Sequence, residues 1–81
     1  MNGDAEAVAL GAHLRRLRMS RGLSLRQAVE AANSNGVDWN HRQVLSKIEH
    51  GHRQLRATEL RALALAYEVG TADLLPPAST A

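Results

Sequence analysis

"VLSKIEHG", residues 44–51, mixes apolar and charged residues in an order that suits one kind of element. Leu45 and Ile48 stand three apart and share one face of a helix, while Lys47 lies nearly opposite Leu45. Gly51 suits the position just past a helix end, where a left-handed residue is common. The stretch reads as a short helix with one side in a core and the other offered to a partner.

The same spacing recurs on both sides of it. Asp4 is placed to cap a first helix carrying Ala7, Leu10, Leu14 and Leu17, and "SRG" at 20–22 ends it. Ser24 and Gln27 form a capping box, with Leu23 stapling onto Ala28, so a second helix runs from Leu25 to about Ala32. "NSNG" at 33–36 is turn chemistry, and the third helix holds the opening motif. After "HRQLR" a fourth helix bears Leu60, Leu63, Ala64 and Tyr67 on one face. Thr71 is expected to cap a last turn, "ADLL", which Pro76 and Pro77 stop. No strand-like alternation occurs. The expected fold is all-α, a compact bundle of five short helices, with residues 5–75 as one domain, 1–4 a flexible N-terminus and 76–81 a disordered tail.

Composition narrows the functions. With 81 residues the chain makes one small domain, and with no cysteine it has neither disulfides nor thiolate metal sites. No apolar run approaches a membrane span and no leader pattern opens the chain, so a cytoplasmic protein is expected. Phe is absent, and the core must be aliphatic around Trp39 and Tyr67. The net charge is only +2, but it is unevenly spread. Arg15, Arg16, Arg18, Arg21 and Arg26 follow one another without an acid between them. Arg42, Lys47, Arg53 and Arg56 form a second group with His41, His50 and His52, against Glu49 alone. Clustered arginine points to an anionic partner, most economically nucleic acid; the plainer alternative is a solvated helix face.

Taken together, "LRRLRMSRGLSL", "KIEHGHRQL" and "LRALALAYEVGTADLL" resemble the phage-repressor or XRE-type (Cro-type, lambda-repressor-like) helix-turn-helix DNA-binding domain, over roughly residues 9 to 75. The resemblance implies that the third helix enters the major groove of double-stranded DNA. The family's base-reading positions then fall on Arg42, Gln43 and Lys47, with His41 beside them. These residue types suit base reading, because Arg grips guanine O6 and N7 while Gln grips adenine N6 and N7. Val44, Trp39 and Asn40 are possible further contacts. Phosphate contacts are implied at Ser24, Arg26, His50, His52 and Arg53. Leu25 stands where the family often has Gln, and Arg26 is expected to substitute for it. Glu49, which would repel phosphate, is implied to form a structural ion pair with Arg18 of the first helix.

The turn between the second and third helices is about six residues longer than the common pattern. Either Asp38 caps a recognition helix lengthened by nearly a turn, bringing Trp39 and Asn40 towards DNA, or Asn40 caps it and "SNGVDW" tucks Trp39 into the core. Packing is the expected fate of the lone Trp39. Ala28 and Val29 stand where Leu then Ala are common, a repacking at nearly constant volume.

The histidines have no acid or cysteine to complete a metal set, and no nucleophile, base and orienting group share a useful spacing. No metal, cofactor or enzymatic activity is expected. The expected function is a sequence-specific transcriptional regulator, a repressor, binding a palindromic operator as a homodimer through its C-terminal region, where Leu65, Val69, Leu74 and Leu75 supply apolar surface. The rival is a protein-interaction module on the same fold, such as an antitoxin holding a toxin or another regulator.

Overall fold

The computed structural model describes residues 2–76, with side chains described from Ala5 onward. Its elements are α1 (Asn2–Ser20), α2 (Leu25–Asn33), α3 (Arg42–Glu49), α4 (Ala57–Tyr67) and a single 3₁₀ turn (Thr71–Leu74). The described residues thus form four α-helices rather than five, and they contain no strand. The last element is only four residues long, opens after an extended Gly70 and runs out at Leu75, leaving no length for an α-helix. Asp4 lies inside α1 instead of capping it, since the helix is already wound at Asn2. Met1 and residues 77–81, which include most of the expected tail, lie outside the described residues.

Each α-helix turns its apolar stripe inward. Leu14, Ala28, Leu45, Leu63, Tyr67 and Leu74 are completely buried. Leu74 therefore belongs to the core and leaves the expected apolar C-terminal surface to Leu65, Leu75 and the half-buried Val69. Packing runs α2 on α4, α1 on α3 and α2 on α3, with the 3₁₀ turn closing against α1 and α4. His13 fixes that closure, its Nε2 lying 2.8 Å from the Asp73 carbonyl oxygen.

α1 approaches α3 so closely that no side chain fits between them at Gly11. A Cβ there would overlap the carbonyl oxygens of Ile48 and Glu49. An interior helical glycine normally costs about 1 kcal/mol relative to Ala, and here it allows two backbones to touch. Gly51 meets two demands at once: its φ is +77°, and a Cβ would meet Val8 at 2.8 Å.

Candidate nucleic-acid interface

α3 splits cleanly along its length. Leu45, Ile48 and Glu49 are buried, whereas Arg42, Gln43 and Lys47 are exposed. Gln43 and Lys47 are one turn apart and share the outward face. Among the described residues, no hydrogen bond or ion pair engages the side chains of these three. Val44 is half-buried and packs against the core, while Asn40 is exposed beside the start of the helix.

The inward side is held by Glu49. Arg18 donates from Nε to Glu49 Oε2 at 2.7 Å and from Nη2 to Oε1 at 3.0 Å. A third bond, from Arg18 Nη1 to the Leu23 carbonyl at 2.8 Å, ties the same guanidinium to the turn before α2. The hydrogen bond to Glu49 raises the Arg18 pKa above its usual value, outweighing the effect of burial. Tyr67 is buried beside this pair, and burial raises its pKa; its hydroxyl has no hydrogen-bond partner among the described residues.

The start of α3 follows the second expected arrangement in burying Trp39, but its cap is a different residue. Neither Asp38 nor Asn40 caps it. His41 does, its Nδ1 accepting from the Gln43 backbone N–H at 3.2 Å. A nitrogen that accepts carries no proton, so Nε2–H is the ring's remaining donor. His41 stays exposed at the end of the outward face.

The long α2–α3 connection is clasped at its base. Asn33 donates from Nδ2 to the Trp39 carbonyl at 2.8 Å and accepts at Oδ1 from the Trp39 backbone N–H at 2.9 Å. One carboxamide thereby satisfies both backbone groups of Trp39, as a neighbouring strand would. The Trp39 indole is 6% exposed and lies in the core, so it is withdrawn from any surface that DNA could reach. Its Nε1–H donates 2.9 Å to Glu59 Oε2 on α4.

Glu59 was absent from the sequence-derived set, yet it gathers more polar contacts than any residue in that set. Arg53 donates to it from Nη1 at 3.1 Å and Nη2 at 3.0 Å, and the Arg56 backbone N–H adds a bond of 2.9 Å. Burial alone would raise the Glu59 pKa, but the bonds from Arg53, Arg56 and Trp39 together hold it at about 2. A glutamate in the first turn of a helix was a readable capping signal; its link to Trp39, twenty residues earlier in the chain, was not. Arg53, expected at phosphate, commits its guanidinium to Glu59.

The other phosphate candidates are exposed. Ser24 and Gln27 complete the capping box: Ser24 Oγ accepts from Gln27 N–H at 3.0 Å, and Gln27 Oε1 accepts from Ser24 N–H at 2.9 Å. The Ser24 O–H is left as a donor. Arg26 reaches Glu30 at 3.4 Å across an open helix surface. His50 places Nδ1 2.7 Å from the Ser46 carbonyl, and its ring stacks on His52 with centroids 6.1 Å apart. No group of three His, Asp or Glu side chains converges among the described residues, and no described helix is long and apolar enough to cross a membrane.

A helix-turn-helix domain family matches residues 9–77. Among solved structures, the crystal structure of the restriction-modification controller protein C.AhdI from Aeromonas hydrophila is 28% identical, with a TM-score of 0.76 over 88% of this chain and 98% of that one. A search of curated protein sequences finds no match. The family match spans the buried ion pair, the outward face of α3 and the whole of α4. The chain belongs to the XRE-like helix-turn-helix family of DNA-binding transcription regulators.

Proposed function

We propose that the protein is a repressor that binds a palindromic operator as a homodimer and reads the major groove with α3. The observation that carries this reading is the outward face of α3, where exposed Arg42, Gln43 and Lys47 have no intramolecular partner among the described residues. Such a face offers bidentate donors and acceptors to base edges at no cost in broken internal bonds. His41 and Asn40 extend the contact at the start of the helix, and Val44 meets a thymine methyl at its edge. Ser24, Arg26, His50 and His52 hold phosphates and fix the register. The likeness to a controller protein points the same way.

Dimerisation follows from reach. One short helix covers few base pairs, so paired domains on half-sites about one helical turn apart give the needed length. Leu65 and Leu75, 58% and 52% exposed, supply the apolar contact near the C-terminus.

The deciding experiment is affinity selection from a random-sequence duplex library, with Arg42→Ala in parallel. An enriched palindrome that the variant loses is the expected result. The variant should bind that duplex about 1–3 kcal/mol more weakly. Affinity should fall steeply with salt, as neutralising about five to eight phosphates requires. Enrichment indifferent to Arg42, or none at all, favours a protein-directed role for the same surface.

A further inference from the structure

Both flanks of the proposed reading helix end on one carboxylate. Trp39 precedes the first residue of α3 by three positions and Arg53 follows its last by four, and both donate to Glu59 of α4. Oε1 receives Arg53 Nη1 and the Arg56 backbone N–H; Oε2 receives Arg53 Nη2 and the Trp39 indole N–H. Glu59 is 7% exposed and Trp39 6%, so two of the three side chains are held in the interior. The Asn33 clasp then fixes the backbone of Trp39 itself.

We infer that Glu59 is a positioning residue for sequence recognition. It ties the chain entering α3 and the chain leaving it to the same point on α4, and it withdraws Arg53 from the phosphates to do so. This rests on the DNA-reading function proposed for α3.

Three features of the geometry carry the inference. First, an Arg whose Nη1 and Nη2 both face a buried carboxylate must break two charge-assisted bonds before it can serve a phosphate equally well. Second, the direct link between the flanks removes a degree of freedom that core packing alone leaves open. The buried side of α3 resists translation, but an eight-residue helix with two fully buried apolar side chains, one half-buried valine and one ion pair near its end can still rock about its axis. Third, the Trp39 bond lies in the added length of the α2–α3 connection. That length therefore acts as a strut for the helix, although its own Trp does not touch the ligand. Bidentate base contacts need donor and acceptor placed within a few tenths of an ångström, whereas phosphate contacts tolerate more. Loosening the strut should accordingly erode discrimination more than it erodes total binding.

The test measures dissociation constants for two probes, the duplex that wild type enriches from the random library and an unselected random-sequence duplex, over a range of salt. Three variants are compared at a temperature where circular dichroism shows each to be folded: Glu59→Gln, Arg53→Gln and Trp39→Phe. Trp39→Phe keeps the aromatic packing and removes the N–H donor, so the test stands even if Glu59→Gln does not fold. The expected result is a fall of about three- to tenfold in the ratio of selected to random affinity for all variants that fold. The salt slope of Arg53→Gln should stay at the wild-type value. A slope flattened by about one on every duplex would show Arg53 to be a phosphate contact and overturn the inference. An unchanged ratio in the folded variants would also overturn it, leaving the reading function of α3 intact. If wild type enriches no duplex, that function falls and this inference falls with it.

Discussion

Two buried glutamates, Glu49 and Glu59, each take two hydrogen bonds from one arginine, yet they are built differently. Glu49 sits at the end of α3 and joins a partner 31 residues away on α1. Its side chain is 2% exposed and that of Arg18 10%, so the pair is sealed in the interior. Glu59 sits in the first turn of α4, and its Arg53 is one-third exposed on a loop. The first pair locks two helices together; the second collects loop segments and a buried indole. A closed pair is costly to break, because removing one partner strands the other charge away from water. An open pair loses less, because water can reach the arginine.

That contrast can be broken at several points. Glu49→Ala should have the largest effect, lowering stability by about 3–5 kcal/mol, read as a fall in melting temperature. An unchanged melting temperature would show that the sealed pair carries no stability. Replacing Arg18 and Glu49 together by Met and Leu should cost far less than the single change, since no charge is then left unpaired.

Acid probes the second carboxylate directly. Glu59 has a folded-state pKa of about 2 against an ordinary 4.5, so it favours the folded state fully above 4.5. That contribution fades as pH falls through 4.5 towards 2 and, from the size of the shift, is on the order of 3 kcal/mol. A thermal melt series over this range should show wild type losing stability relative to Glu59→Gln. Parallel profiles would mean that Glu59 gains nothing from its donors. Gly11→Ala comes next, at about 1–3 kcal/mol, because the added methyl forces α1 away from the end of α3 and strains the Arg18–Glu49 pair. Glu30→Gln is the control. Its pair with Arg26 is open to solvent on both sides, and removing it should shift the denaturation midpoint by a few tenths of a kcal/mol at most.

The sequence was legible where apolar residues repeat at helical spacing or where short-range chemistry is unambiguous. α2 begins at Leu25 with the Ser24–Gln27 box in place, and α3 ends at Glu49 with Gly51 left-handed beyond it. The XRE-like family was legible from three motifs in order. Other features were hidden for physical reasons. Histidine is an uncommon cap, so the sequence alone pointed to Asp38 or Asn40 and missed His41. Gly11 has no side chain with which to announce a contact, and its partner backbone lies more than thirty residues away. Glu59 is a single acid in the first turn of α4, with nothing nearby in sequence to mark a shared site; only the fold shows that Trp39 and Arg53 converge on it.

Among the described residues the side chains of Arg42, Gln43 and Lys47 make no hydrogen bond or ion pair, while the contacts that hold α3 in place come from its other side and its flanks. On the proposed function, folding and address are therefore written in different letters. Arg42, Gln43 and Lys47 can be exchanged in a descendant of this chain without weakening the scaffold that presents them. Under the proposed reading of DNA by α3, a lineage built on it can move to new target sequences by single steps, each intermediate still folded.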